Sequence, residues 1–218
     1  MDFHLLDKNS LPSTNPLKLF NILHDRVKGH CKSGSTFCTL STIDSKTSRP
    51  SSRIVHMAEC NERGFRFFTQ TETEKVRHLD KNPSAAMMFW WPCETRQDGY
   101  IDGLVVRVEG VVKQLGAEAA RKMYEGWPDE HRITMIAFEK SGEPISSHLD
   151  PKVVIEEKRN AVRSKGAEVL KKCPEFFVGY DLLPDMVEFN QNDPGFATRR
   201  LRFRKVLNGE WVMEYLTP

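Results

Sequence analysis

The chain has 218 residues, 39% of them hydrophobic, enough to bury the core of a single domain. Its 32 basic and 30 acidic residues leave a formal charge of +2, which argues against broad nucleic-acid or membrane binding. Five cysteines (Cys31, Cys38, Cys60, Cys93, Cys173) are odd in number with no CxxC pair, and the seven histidines show no HExxH spacing, so neither a disulfide framework nor a metal is expected.

Met1–Asn9 carries Asp2 and Asp7 and lacks the apolar core of a signal peptide, and no run of about 18 apolar residues occurs. A cytoplasmic protein is the expectation, with residues 1–13 a flexible segment and 14–218 one domain. Thr14–Gly29 reads as a helix, with Leu17, Phe20, Leu23 and Val27 at helical spacing behind a Thr14 or Asn15 cap and an early Pro16. Ser35–Ile43 reads as a strand and Asp44–Pro50 as a polar turn. Arg53–Ala58 and Gly64–Thr69 flank the turn Cys60–Arg63 and read as a β-hairpin. A short helix begins near Glu72 and stops before Asn82-Pro83.

Ala85–Trp91 is a continuous apolar run, predicted as a strand buried on both faces. Within it Phe89, Trp90 and Trp91 read as core residues rather than as a stacking surface. Pro92–Gly103 reads as a polar excursion, after which Leu104–Val112 resumes as a strand. Helical patterns follow at Ala117–Gly126, Asp129–Lys140 and Pro151–Lys172, in which Glu156–Arg159 is a solvated face. Four strands close the chain: Glu175–Asp181, Met186–Gln191, Thr198–Val206 and Glu210–Leu216. Many short antiparallel strands with a few helices point to a mainly β, α+β fold, a closed or split barrel with helices packed outside.

One constellation carries chemistry. Arg53 opens the first strand of the hairpin, while Thr69, Thr73 and Lys75 follow its second strand at the start of the short helix. Two cations and two hydroxyls can converge there beside a helix N-terminus, which suits a phosphate monoester.

Ser52-Arg53-Ile54-Val55, Gly64-Phe65-Arg66-Phe67-Phe68-Thr69 and Lys75 resemble the flavin-phosphate segment of the pyridoxamine 5′-phosphate oxidase family. The resemblance continues through Asn82-Pro83-Ser84-Ala85-Ala86, Val106-Arg107-Val108-Glu109-Gly110 and Val187-Glu188-Phe189, and closes with Trp211 and Leu216-Thr217-Pro218. It implies a split barrel that pairs into a homodimer with FMN at the interface. It further implies that Arg53 and Lys75 grip the FMN phosphate, with Ile54, Val55, Phe68 and Thr73 alongside. Thr69 and Ser141 match flavin hydrogen-bonding positions, and Arg199 matches a catalytic arginine close to the isoalloxazine ring. Glu74 replaces a basic residue, Val105 and Lys140 replace glutamines, and Asn190 replaces a tryptophan.

On the substrate side the resemblance implies a phosphate clamp of Lys, Tyr, Arg and Ser, whose positions hold Ala58, Met123, Trp127 and His131. An Arg and a His that act on the pyridine ring fall at Gly195 and Ala197. A second register instead matches Arg200-Leu201 to the family's Arg-Leu pair, places Arg204 at the flavin and puts Arg202 where the histidine belongs. Lys122, Tyr124, Arg121 and Arg132 lie within two residues of lost positions, and a different helical phase would present Tyr124 and Arg132.

The activity implied is an FMN-dependent oxidase. A hydride would pass from the C4′ carbon of pyridoxamine or pyridoxine 5′-phosphate to flavin N5, with dioxygen as acceptor and hydrogen peroxide released. Two other readings stay open: a related flavoenzyme with a less anionic substrate, and a non-catalytic protein that holds FMN or a B6 vitamer. A small-molecule ligand is common to all three, and neither nucleic acid nor membrane is expected as a partner.

Overall fold

The computed structural model describes residues 6, 8–9, 11–28, 36–95, 101–192 and 198–218, with backbone alone at 93–95 and 101–102. Helix α1 (Pro16–Lys28) starts where the Asn15 side chain accepts the Leu17 and Lys18 amides at 3.0 and 3.1 Å. Its apolar stripe buries Leu17, Phe20, Leu23 and Val27. Phe20 reaches the barrel core, with ring centroids 4.8 Å from Phe65 and 4.9 Å from Phe89.

The strands are β1 (Phe37–Ile43), β2 (Pro50–Cys60), β3 (Phe65–Gln70), β4 (Ser84–Thr95), β5 (Ile101–Gln114), β6 (Phe177–Asn192), β7 (Thr198–Lys205) and β8 (Trp211–Leu216). They follow the order β3-β2-β1-β4-β5-β6-β7-β8, and an added β3–β6 pairing closes the first six into an antiparallel barrel. Helix α2 (Glu74–Leu79) follows β3, helices α3 (Ala117–Glu125) and α4 (Asp129–Ala137) follow β5, and α5 (Pro151–Arg163) packs on α4.

The barrel is split because β6 shares one edge between two partners. Phe177–Leu182 pairs with β3, and Met186–Asn192 pairs with β7, while the other edge runs along β5. Pro184 lies at the handover, where the β5 register shifts between Glu109 and Gly110. A proline has no N–H to leave unpaired there. The backbones crowd at this point: a side chain at Gly110 would collide with the Leu183 carbonyl, and one at Gly64 (φ 154°) with the Leu182 carbonyl.

Several expectations are corrected. Glu175–Asp181 and Met186–Gln191 form one strand, since Pro184 bends the chain without ending its pairing to β5. Much of Pro92–Gly103 is strand, because Pro92–Thr95 and Ile101–Gly103 extend the β4–β5 hairpin. The Pro151–Lys172 helix ends at Arg163, and Gly166 (φ 80°) turns the chain into a short 3-10 segment, Ala167–Leu170. The apolar β4 is buried on one face only: Met87, Phe89 and Trp91 point inward, while Met88 and Trp90 are 44% and 41% exposed.

The seam that closes the barrel carries a buried ion pair. Arg66 stands opposite Asp181 in the β3–β6 register and donates from Nε and a terminal nitrogen at 2.8 and 3.2 Å. The Asp181 side chain is fully buried, and Arg66 also pairs with the exposed Glu59. Removing one partner leaves a buried charge uncompensated. Arg66→Ala should therefore lower unfolding stability by about 3 kcal/mol in a urea titration. Glu59→Ala should cost under about 1 kcal/mol. Equal small losses in both variants would show that the pair does not secure the seam.

Candidate functional site at one mouth of the barrel

At the end of the barrel where β1 and β3 finish and β2 begins, the inward rows stop being apolar. Cys38 and Leu40 give way to Thr42 on β1, and Phe65 and Phe67 give way to Thr69 on β3. Arg53, opposite Leu40, shares the inward face of β2 with Val55 and Met57. Helix α2 covers this mouth, placing Val76 and Leu79 in the core and His78 against Thr42.

The Arg53 guanidinium is tied to the barrel wall. One terminal nitrogen donates to the Leu40 carbonyl (3.1 Å), the Thr42 hydroxyl (2.8 Å) and the Ser51 carbonyl (2.9 Å). The other donates to the Ser51 hydroxyl at 2.8 Å and lies 3.6 Å from Glu74. Lys75 Nζ donates to the Thr69 hydroxyl at 3.0 Å. Thr73 occupies the N-cap position of α2, but its hydroxyl donates to the Gln70 carbonyl at 3.0 Å and makes no cap bond. The helix-terminus contribution expected from sequence is correspondingly small, since α2 has only six residues. The two cationic side chains dominate the site.

Burial holds the Arg53 guanidinium below its usual range, opposed by Glu74. Burial also holds Lys75 below the usual lysine range, with the Arg53 charge adding to the effect and Glu74 opposing it. Two crowded cations therefore share one nearby carboxylate, which is itself largely exposed. An anion with several acceptor oxygens is the group that would relieve this crowding.

The outer face of the same strands forms a second surface. Ile54, Thr39, Met88, Arg107, Glu188, Arg202 and Glu214 stand in one row across successive strands. The next row runs Trp90, Val105, Asn190, Arg200 and Leu216. Val105 and Asn190 are thus neighbours, and the arginine facing the same way is Arg200. Arg199 stands opposite Gln191, so strand alternation turns it to the other face. Arg200 donates to the buried Glu188 at 2.8 and 3.1 Å, and Arg107 lies 3.6 Å from that carboxylate. Arg202 pairs with Glu214 at 2.7 Å, and Arg204 is exposed. The Asn190 side-chain oxygen is buried with no hydrogen-bond partner among the described residues.

The remaining sequence-derived positions fall elsewhere. Lys140 and Ser141 are exposed just beyond Phe138, whose carbonyl accepts from the Gln70 side chain at 2.8 Å beside Thr69. Ala58 is half-buried at a register shift between β2 and β3. Met123 and Trp127 pack with Phe68 and Phe177 in an apolar cluster, Trp127 lying 4.8 Å from Phe177 and edge-on to the exposed His131. The helical phase that would present Tyr124 is not adopted. Tyr124 is 1% exposed, its hydroxyl lacks a partner among the described residues, and burial raises its pKa. Arg132 stacks on that ring and donates to the Tyr124 and Glu125 carbonyls, capping α3. Arg121 pairs with Glu118, and Lys122 is exposed. Gly195 and Ala197 lie outside the described residues.

Sequence reasoning missed Thr42, Ser51 and His78. Thr42 was detectable as the hydroxyl that ends the inward row of β1, and His78 as the residue one helical turn after Lys75.

The architecture is a split β-barrel with a cationic mouth, and comparison with known proteins agrees. The family profile described as pyridoxamine 5′-phosphate oxidase matches residues 28–166. A Pseudomonas fluorescens protein named pyridoxine/pyridoxamine 5′-phosphate oxidase is 34% identical over 180 residues, covering 83% of this chain and 77% of that one. A Neisseria meningitidis protein of the same name is 33% identical over 204 residues, covering 94% and 90%. Two solved structures share the fold. PhzG from Burkholderia lata, in complex with tetrahydrophenazine-1-carboxylic acid, superposes with a TM-score of 0.78 at 22% identity over 95% of this chain and 94% of its own. A pyridoxamine 5′-phosphate oxidase-related, FMN-binding protein from Nostoc punctiforme gives 0.73 at 17% identity over 94% and 100%. The chain belongs to the pyridoxamine 5′-phosphate oxidase family.

The crowding at the mouth has a direct readout. With lysines 13C-methylated and the signal assigned through Lys75→Arg, Lys75 should titrate below the free-lysine range. Its midpoint should rise in Arg53→Met, because the repelling charge is gone. A midpoint unmoved by that change would separate the two cations.

Proposed function

We propose that this chain is an FMN-dependent oxidoreductase of the pyridoxine/pyridoxamine 5′-phosphate oxidase type. The observation that carries the reading is the mouth itself, where Arg53 and Lys75 crowd together with only Glu74 to compensate. That set fits a terminal phosphate monoester, and hence FMN rather than a dinucleotide. The relatives at 33–34% identity support the reaction class. The chemistry the flavin supplies when bound is acceptance of a hydride from the substrate C4′ carbon, with dioxygen taking the electrons to give hydrogen peroxide.

The residues of the chain bind and orient. Arg53, Lys75 and the Thr69 hydroxyl hold the phosphate with Thr73 beside them, while Ile54 faces the outer sheet surface and Phe68 the cluster under α3. Glu74 opposes binding through its charge. On the outer face Arg200 takes the flavin-ring role that the resemblance gives to Arg199, because it faces the same way as Val105 and Asn190. Lys140 and Ser141 complete the cofactor shell from the segment tethered at Gln70.

Ile54 (65% exposed), Phe37, Met88 and Trp90 leave an apolar patch on the outer sheet face in one chain. A second copy covers it in this proposal, giving a cytoplasmic homodimer in which each flavin is enclosed by both subunits. A second reading concerns the substrate. Met123 and Trp127 belong to an apolar cluster, and His131 is the one ionisable group left among the four clamp positions. That composition favours a less anionic substrate than a B6 phosphate, handled by the same cofactor.

The purified protein should bind FMN. Arg53→Ala should weaken that binding by about 2–3 kcal/mol, roughly 50-fold in Kd, in a fluorescence titration. Glu74→Gln should tighten it. Peroxide release with pyridoxamine 5′-phosphate then separates the two substrate readings: micromolar KM supports the B6 oxidase, and a KM raised by orders of magnitude supports the second. Absence of flavin binding would defeat both. Light scattering should show a dimer, and Ile54→Glu with Trp90→Glu should yield monomers. A wild-type monomer that binds FMN tightly would refute the shared site.

A further inference from the structure

Arg53 carries more wall contacts than any ligand-facing role requires, and those contacts have a direction. One terminal nitrogen has two hydrogens and three acceptors around it: the Leu40 carbonyl, the Thr42 hydroxyl and the Ser51 carbonyl. The second terminal nitrogen gives a hydrogen to the Ser51 hydroxyl. Nε has no hydrogen bond among those described. The guanidinium is therefore fixed by its terminal nitrogens, the second of which also faces Glu74 at 3.6 Å, and Nε is the group left for an anion oxygen.

Thr42 is the side chain that makes this fixation specific. It is 1% exposed, so its hydroxyl proton needs a partner inside the protein. Its oxygen receives Arg53 at 2.8 Å and lies 3.0 Å from His78 Nδ1. A hydroxyl that accepts from a guanidinium can still give its own proton to an imidazole nitrogen. His78, 9% exposed on α2, is the acceptor placed for it. In the tautomer with Nδ1 unprotonated, donation to it turns the Thr42 lone pairs towards Arg53. The chain His78–Thr42–Arg53 thus runs from the helix that carries Lys75 to the strand that carries the arginine, and sets both cations against one another.

We propose that Thr42, oriented by His78, is a positioning residue for phosphate recognition. It holds the Arg53 guanidinium in its binding geometry before the ligand arrives, so that little side-chain freedom is lost on binding. The inference rests on the phosphate reading of the mouth given above.

The test uses full-length protein freed of flavin and titrates FMN against riboflavin, which lacks the phosphate. Wild type should prefer FMN strongly. Thr42→Val keeps the shape and removes the hydroxyl. It should cost about tenfold in FMN affinity, the worth of one hydrogen bond to a charged group, and leave riboflavin affinity unchanged. Thr42→Ser should restore the preference. His78→Phe, which leaves Thr42 in place without its acceptor, should reduce the preference in the same direction and serves if Thr42→Val does not fold. A preference for FMN that survives both Thr42→Val and His78→Phe overturns the positioning role alone. So does a parallel loss of both ligands, which marks a merely structural role. A wild type with no preference for FMN overturns the phosphate reading and this inference together.

Discussion

The structure depends on one strand edge serving two partners. A β-strand edge offers one set of N–H and C=O groups, and β6 gives the first half of its set to β3 and the second half to β7. The first pairing closes the barrel and brings Thr69 and α2 to the mouth. The second carries β7 and β8 outward as an extension of the same sheet, which widens the outer face and sets Arg200 beside Asn190. Gly64 and Gly110 are required there because the crossing backbones leave no volume for a side chain. The cofactor-phosphate candidates and the outer-face candidates thus lie on two surfaces generated by a single handover at Pro184.

Charge is treated differently on those surfaces. Asp181 is fully buried and held by Arg66, with Arg63 at 3.8 Å, so the seam is compensated within the chain. Glu188 is likewise buried and faces Arg200 and Arg107. At the mouth the balance reverses, because two half-buried cations face one exposed carboxylate and burial pulls both their pKa values down. Burial and like charge make that arrangement costly to the folded state. A region where desolvation and like charge act together is where a binding role has a physical rationale.

Much of this was readable in the sequence, and the failures have identifiable causes. The Arg53, Thr69, Thr73 and Lys75 cluster was visible because a hairpin brings the start of its first strand beside the end of its second, where the short helix begins. Their supporting residues were not, since Thr42 and His78 become relevant only once β1 and α2 are placed around Arg53. Pro184-Asp185 reads as punctuation, yet β6 passes through it because the β5 edge continues to pair. The polar run after Trp91 looks like a loop, but Pro92–Thr95 and Ile101–Gly103 keep the backbone pairing of β4 to β5. Which of Arg199 and Arg200 shares a face with Asn190 turns on a one-residue register beyond Asn192. Sequence periodicity cannot fix that register when every second residue from Arg200 to Arg204 is an arginine, whereas pairing to β6 does.

The two halves of the proposed site differ in how far packing depends on them. The phosphate residues lie at a barrel end, where each contact is a hydrogen bond to wall backbone or hydroxyl and the apolar core is complete without them. Met123 and Trp127 are instead part of the cluster that attaches α3 to the barrel, with Trp127 against Phe177 of β6 and Phe177 stacked on Phe68 of β3. Full burial of a large apolar side chain is worth about 1.5–3 kcal/mol, of which the half-buried Trp127 secures a part. Charged residues at the same positions would have to turn outward and leave the cluster unfilled. Helix α3 is therefore anchored by the very positions that a phosphate clamp would occupy, so packing and anionic substrate binding compete for the same side chains. Met123 and Trp127 serve packing, while the mouth, which the apolar core does not need, holds Arg53 and Lys75 against Glu74.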